Sequence, residues 1–232
     1  PYEKRYTDIE LEYMVSDCKV VQQLFSRTFP KSNRKSFLDV GCGEGYQSNF
    51  FLKNNWNVNC FDYSEFGIIN HNPNLKNHFV KGELEPFLKE VQQKEQKHSI
   101  IFLKNVLEHV ISPTLTLKLI KDIMDEETLL HIEVPNDYSS FQDLLIKNNY
   151  TKNTWFCPPQ HLHYFQFDSI QKLLEGEGFE IVSLQAGFPI EQFLVNEFSN
   201  YTKNKNTGKA AHFSRCEISN FLLNQGIDKY IR

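Results

Sequence analysis

The feature that most constrains this chain is a series of short apolar runs, each the length of a strand, separated by helix-length segments. They lie at residues 36–40, 57–61, 78–82, 98–104 and 128–134. "SFLDV" is a short apolar run ending at glycines and "HSIIFLKN" is continuously apolar over Ile100–Leu103, and both read as buried strands. Between the runs stand "YQSNFFLKNN", "EFGIINHN", "ELEPFLKEVQQKEQK" and "SPTLTLKLIKDIM", all readable as helices. The third is expected to begin near Pro86, and Ser112-Pro113 suits the cap and first turn of the fourth. This alternation specifies an α/β fold with a mostly parallel, doubly wound sheet covered on both faces.

Residues 1–30 read as a helical lead-in, with Ile9, Tyr13, Val20, Leu24 and Phe25 near a helical period. Residues 137–167 break the rhythm. They are rich in aromatics, Asn and Pro and too long for an ordinary connection, so a cap over a substrate is expected there. "DSIQKLLEGEGFEIVSLQAG" predicts a helix capped at Asp168 or Ser169, ended by Gly176 or Gly178, and followed by a strand. Residues 196–211 read as a polar surface loop and 212–232 as a final helix, so that 196–232 is a C-terminal extension. At 232 residues the whole chain, 1–232, suits a single domain.

A net charge of −4 with no basic stripe argues against nucleic acid as a partner. No apolar run approaches the roughly 20 residues that span a bilayer, so no membrane partner is expected. Five cysteines at irregular spacing, without C-x-x-C, fit a reduced cytoplasmic protein. No signal peptide is visible, although the sequence starts at Pro1. Heavy use of Lys and Asn fits an AT-rich bacterial genome. A homodimer is left open.

The chemistry begins at "FLDVGCGEGYQS", a glycine-rich turn between strand and helix. Gly41, Gly43 and Gly45 form G-x-G-x-G, whereas a dinucleotide fingerprint is G-x-G-x-x-G; Tyr46 stands where its third glycine would be. Asp39, two residues before the first glycine, would repel a pyrophosphate and attract a cationic ligand. Asp62 closes the next strand, 21 residues after Gly41, where a carboxylate can accept both hydroxyls of a ribose.

"LDVGCGEG" resembles the first motif of class I S-adenosylmethionine-dependent methyltransferases. The resemblance covers about residues 36–185 and is strongest over 36–62 and 103–110. It implies a Rossmann-like fold of that type and S-adenosyl-L-methionine as cofactor. By that resemblance Asp39, Gly41, Cys42, Gly43 and Tyr46 surround the methionine half, and Asp62, with Tyr63 beside it, holds the ribose. Glu83 and Leu84 would meet the adenine. Asn105 and Val106 of "LKNVLEHV" would pass under the methionine and sulfonium, with His109 close by in a structural role. In related enzymes a Tyr or Arg of the leading segment often closes over the cofactor; Arg5 of "YEKRY" is either that counterpart, meeting the methionine carboxylate, or part of a solvated basic turn.

"PPQHLHYFQFDSIQKLLEGEGFEIV" resembles a segment of the branch that contains many sugar, surface-glycan and small-molecule methyltransferases. That implies an O-methyltransferase acting on a sugar, a glycan unit or a similar polar metabolite in capsule or lipopolysaccharide biosynthesis. A hydroxyl nucleophile gains from a base, and histidine suits that task. His161 and His163 are the candidate bases, His161 preferred, and in an extended segment both would face one way. Glu133, Asn136 and Tyr164 are candidate substrate contacts. Cys157, His161 and His163 are not read as a metal site, because the intervening prolines forbid a helical pair. The alternatives are an N- or C-methyltransferase of a small metabolite, and a non-catalytic cofactor-binding subunit. Nucleic-acid methylation is disfavoured because "NVLEHV" stands where an N-P-P-[FY] signature would be.

Overall fold

In the computed structural model, which describes residues 6–224, the five apolar runs are five strands. They are β1 (Ser36–Val40), β2 (Asn57–Asp62), β3 (Phe79–Lys81), β4 (Ile100–Lys104) and β5 (Leu129–Glu133). The order is β3-β2-β1-β4-β5 and every neighbouring pair is parallel. The direction in which successive strands are added reverses between β1 and β4, which is where open α/β sheets bind ligands, at the carboxyl ends of the strands.

Register partners in parallel strands point to the same face. Phe37, Phe102 and His131 therefore lie on one face, and Leu38, Phe61 and Ile101 on the other. On the first face α2 (Tyr46–Lys53) stacks Phe51 on Phe37, ring centroids 3.9 Å apart. The long α1 (Asp8–Thr28) adds Cys18, Val21 and Phe25, all buried, with Phe25 edge-on to Trp56. This buried stripe is turned from the expected one: Val20 and Leu24 are only half-buried, because Cys18, Val21 and Phe25 form the i, i+3, i+7 face. Opposite, α4 (Leu84–Gln93) stacks Phe87 on Phe61 at 4.3 Å and packs along α5 (Pro113–Ile123). Burial of each such ring contributes roughly 2–3 kcal/mol.

Local signals set several boundaries. Ser112 caps α5 by accepting from the Leu115 N–H, and Pro113 takes the first helical position. α4 starts at Leu84, ahead of Pro86, so the proline sits within its first turn, where its missing N–H costs nothing. The short α3 (Phe66–His71) follows β2.

The described residues form two units, 17–134, which holds the whole sheet, and 6–16 with 135–224. The second contains α6 (Ser140–Lys147), α7 (Phe167–Gly176) and α8 (Gly208–Asn224). A reciprocal Ser139–Gln142 capping box starts α6 inside the segment that breaks the sequence rhythm. The cap of α7 is Gln166, with Ser169 as the answering residue of its capping box, and Gly178 takes φ 77° just past the end. The strand expected after α7 does not form among the described residues: 179–189 runs as irregular chain, and Val182 is 49% exposed. α8 begins at Gly208, inside the stretch read as loop; residues 225–232 of the expected final helix lie outside the described residues. Within this unit Glu10 is buried, accepting from the Thr7 N–H and hydroxyl, and lies 3.1 Å from His212 Nε2.

Candidate active site

The loop after β1 is built by close approach. The N–H groups of Gly41 and Cys42 both donate to the Phe61 carbonyl at 2.9 Å, folding the chain back over the end of β2. Gly41, Gly43 and Gly45 have φ of 80°, 53° and 77°, the left-handed region that glycine enters without strain. A Cβ on Gly41 would fall 2.3 Å from Val106 Cγ2, so this glycine admits the loop after β4. A Cβ on Gly45 would fall 2.5 Å from Ile68 and 2.7 Å from Leu75. Gly43 differs: a Cβ there would meet nothing within 4 Å. Two glycines thus stand against packed side chains, and the third borders open space.

Asp62 lies at the carboxyl end of β2 and is tied to this loop. Its Oδ2 accepts the Gly43 N–H and its Oδ1 the Ser64 N–H, each at 2.9 Å. A carboxylate has about four acceptor positions, so these two bonds leave acceptor capacity for further donors. Tyr63 beside it is 60% exposed. Asp39 is different again. It is buried, and its Oδ2 accepts from Ser48 Oγ on α2 at 2.7 Å. Burial pushes its carboxyl up to about 6, although Ser48 and Lys104 pull the other way. Asp39 therefore acts on the loop from beneath it, as a buried negative charge.

The remaining cofactor candidates in this unit sit at the same sheet edge or beside it. Asn105 follows β4 with φ 52°, a left-handed turn that Asn tolerates, and its N–H donates to the Glu133 carbonyl at 2.8 Å. Val106 rests on Gly41. His109 closes the turn by donating its N–H to the Val106 carbonyl, and its ring lies 3.8 Å from buried Glu108. Glu83 is exposed at the start of α4, and Leu84 is buried behind it. Tyr46 turns its hydroxyl to His71 Nδ1 at 3.0 Å. The Cys42 thiol is buried; its hydrogen bond with Cys60, together with burial, holds it far above the usual thiol range. Arg5 lies outside the described residues.

Glu133 is joined to residues that the sequence did not single out. Lys104 Nζ lies 2.5 Å from Asp17 on α1 and 2.7 Å from Glu133. Burial opposes the charge on Lys104, but the two carboxylates outweigh it and hold the ammonium above the usual lysine range. Burial raises Glu133, and Lys104 does not fully offset that; in Asp17 the same burial is outweighed, chiefly by the charge and hydrogen bond of Lys104, and its carboxyl falls. His131 is pushed down to about 4 by burial and stays neutral. Asp17, His131 and Glu133 bring their ligand atoms within 4.8 Å of one another, a spacing that suits a metal ion. The Lys104 ammonium already supplies the positive charge there.

In the second unit, the "HLHYF" segment opens with a turn rather than an extended run. His161 N–H donates to the Cys157 carbonyl at 3.0 Å, and only at Phe165 does the chain pair as strand, bridging to Asn136. His161 and His163 are both half-buried, with Leu162 exposed between them. Tyr164 accepts the Cys157 N–H on its hydroxyl at 3.1 Å and meets Tyr138 edge-on at 5.6 Å. Asp137, another residue the sequence did not single out, is buried with Oδ2 3.9 Å from His161 Nδ1. The missed residues had faint signals. Asp17 interrupts the buried stripe of α1, and Ser48 lies on the first turn of α2.

A sequence-family model described as a methyltransferase domain matches residues 12–184. The chain belongs to the methyltransferase-domain family. Within it, the all-parallel Rossmann-like sheet is that of the class I S-adenosylmethionine-dependent enzymes. A structure of an S-adenosylmethionine-dependent methyltransferase from Archaeoglobus fulgidus is similar at TM-score 0.51 and 20% identity, covering 82% of this chain and 86% of that one. The plantazolicin methyltransferase BpumL, solved with a triazolic desmethylPZN analog and SAH, is similar at TM-score 0.55 and 18% identity, covering 90% of this chain and 80% of that one. No curated protein matches the sequence. The methyltransferase loop fits its donor on the observations above. The outer side of Gly43 is open, Asp62 keeps acceptor capacity, and the carboxyl of Asp39 lies beneath the loop, which suits a cationic donor.

Proposed function

We propose that this protein methylates a hydroxyl oxygen of a sugar, a glycan unit or a similar polar small molecule. Bound S-adenosylmethionine supplies an activated methyl on a sulfonium, an excellent leaving group. Asp62 grips the ribose, the Gly41–Gly45 backbone carries the amino-acid tail, and Asp39 favours the donor's positive charge from below. The chain's own contribution is chiefly position and exclusion of water, with a base to accept the hydroxyl proton. His161 is assigned that role.

The observation that carries the donor half is the hydrogen bond from Gly43 N–H to Asp62, which joins the glycine loop to the ribose acid. The acceptor half is supported by His161 having a carboxylate neighbour and by the exposed aromatics Phe141, Tyr150 and Phe156, which suit stacking on sugar faces. A place in surface-polysaccharide biosynthesis rests on the "HLHYF" resemblance. A cytoplasmic setting is supported by all five cysteines being free.

The test is mass spectrometry of nucleotide sugars and glycans after incubation with methyl-labelled cofactor. One added methyl on oxygen is the expected result. Methyl on nitrogen or carbon of an acceptor, with turnover insensitive to His161→Ala and His163→Ala, would establish the N- or C-methyl reading instead. That second reading draws on Asp17, Asp39 and Glu133 sharing the single Lys104, an excess of negative charge that would suit a cationic amine.

A further inference from the structure

Gly67 stands inside α3, where glycine is a poor choice. A glycine within a helix costs about 1 kcal/mol relative to alanine, and Gly67 is not among the glycines with a positive φ. Its reason is contact. A Cβ on Gly67 would fall 2.3 Å from the Gly43 carbonyl oxygen, 2.7 Å from the carbonyl carbon and 3.0 Å from Glu44 Cα. These are backbone atoms of the glycine loop, and they cannot rotate aside as the end of a side chain can. Asn72, which follows α3, is 4% exposed and donates from Nδ2 to the Glu44 carbonyl at 2.8 Å. Its own backbone is fixed: its N–H donates to the Ile68 carbonyl at 2.9 Å, and its carbonyl accepts the Leu75 N–H at 3.0 Å. The carbonyl of Gly43 thus lies against Gly67, and the carbonyl of Glu44 is held by Asn72. The contacts close a ring. Asp62 accepts the Gly43 N–H on one oxygen and the Ser64 N–H on the other, and Ser64 Oγ accepts the Phe66 N–H at 3.2 Å where α3 begins.

We propose that Gly67 and Asn72 are positioning residues for donor binding: α3 braces the 43–44 backbone so that the glycine loop receives the donor's amino-acid tail. This rests on the donor-binding part of the reading above. The two residues act through the loop. A peptide unit is planar, so a push on the Gly43 carbonyl turns the whole 43–44 peptide. Hydrogen bonds weaken steeply as their angle departs from linear, so a small rotation loosens the grip of the loop on the tail. The nucleoside half depends less on this brace, because Asp62 keeps the Ser64 N–H when Gly43 moves. Loss of the brace therefore bears on one half of the donor more than on the other.

The test is calorimetry on the full chain with two ligands: S-adenosylhomocysteine, which carries the amino-acid tail, and methylthioadenosine, which lacks it. Gly67→Ala adds the missing Cβ. Asn72→Leu keeps a similar shape without the N–H donor, and it carries the test if Gly67→Ala does not fold. Ile69→Gly is the control: Ile69 is 53% exposed on α3, and glycine there weakens the helix without reaching the loop. Urea denaturation shows that each variant is folded under the conditions of binding. Gly67→Ala and Asn72→Leu are expected to weaken S-adenosylhomocysteine at least about tenfold and methylthioadenosine less than about threefold, while Ile69→Gly moves neither by more than about threefold. A folded Asn72→Leu chain that binds S-adenosylhomocysteine as the native one does overturns the brace. So does a loss of both ligands by equal factors, which marks a helix that only supports the fold. A native chain that binds neither ligand would instead overturn the donor reading itself.

Discussion

Gly43 N–H donates to Asp62 Oδ2 at 2.9 Å, so the glycine loop and the acid at the end of β2 hold each other in place. Each needs the other: the loop presents its backbone only while the carboxylate anchors it, and the carboxylate faces the sheet edge only while the loop fixes one oxygen. Asp62→Ala is expected to weaken S-adenosylmethionine binding at least tenfold, a loss of about 1.4 kcal/mol or more. Calorimetry with the cofactor checks this. An unchanged Kd would remove Asp62 from the ribose site.

The glycines separate fold from binding. Gly45→Ala drives a Cβ to within 2.5 Å of Ile68 and 2.7 Å of Leu75 at a φ of 77°. It should cost about 2 kcal/mol or more, from overpacking and strain together. Gly43→Ala meets no neighbour within 4 Å and bears only the φ penalty of roughly 1–2 kcal/mol. It should nevertheless impair cofactor binding, because its methyl projects into the open side of the loop. Urea denaturation paired with calorimetry distinguishes the two variants. Equal effects on stability and on binding would contradict this division.

How much of this was legible beforehand depends on sequence distance. The loop and Asp62 could be read because glycine at a positive φ and a carboxylate at a strand end are local requirements. The parallel sheet followed from strand-sized runs spaced by helices. The Lys104–Asp17 pair could not be read: its partners are 87 residues apart, and nothing in either segment names the other. The surroundings of Asp137 are not legible in the sequence because they come from the fold-back that pairs Asn136 with Phe165. The strand expected at 179–189 shows the opposite error: the apolar pattern is there, but the segment runs as irregular chain with Val182 exposed.

Asp39 sets stability against binding. Its carboxyl, raised to about 6 chiefly by burial, is ionised at pH 7 at the expense of the fold. Because the folded value lies above the unfolded one, this group favours the native state at low pH, and the advantage fades as pH rises from about 4 through about 6. Asp39→Asn keeps an acceptor for Ser48 and removes the ionisation. It should stabilise the protein at pH 7 by about 1–3 kcal/mol, at about 1.4 kcal/mol per tenfold change, and make little difference at pH 4. Cofactor affinity should fall in the same variant, and in the native protein it should weaken below about pH 6 as the carboxyl gains its proton. Denaturation and calorimetry across this range test both. A destabilised Asn variant with normal cofactor affinity would refute the trade.

Lys104 joins α1 to the ends of β4 and β5, with Asp17 on one side and Glu133 on the other. Removing the ammonium leaves two neighbouring carboxylates to repel one another in a partly desolvated place. A fully buried pair would lose about 3–5 kcal/mol on such a change. Here the side chains of Asp17 and Glu133 are 33% and 38% exposed, so solvent screens part of it. Lys104→Met should therefore destabilise by about 1–3 kcal/mol at pH 7. Acid relieves the repulsion: without the ammonium both carboxyls titrate higher in the folded chain than in the unfolded one, so protonation favours the fold. The gap between variant and native protein must narrow as pH falls from 7 to 4. A constant gap over that range would mean that the lysine acts by packing its methylenes, and a wider gap at low pH would reverse the sign of the coupling.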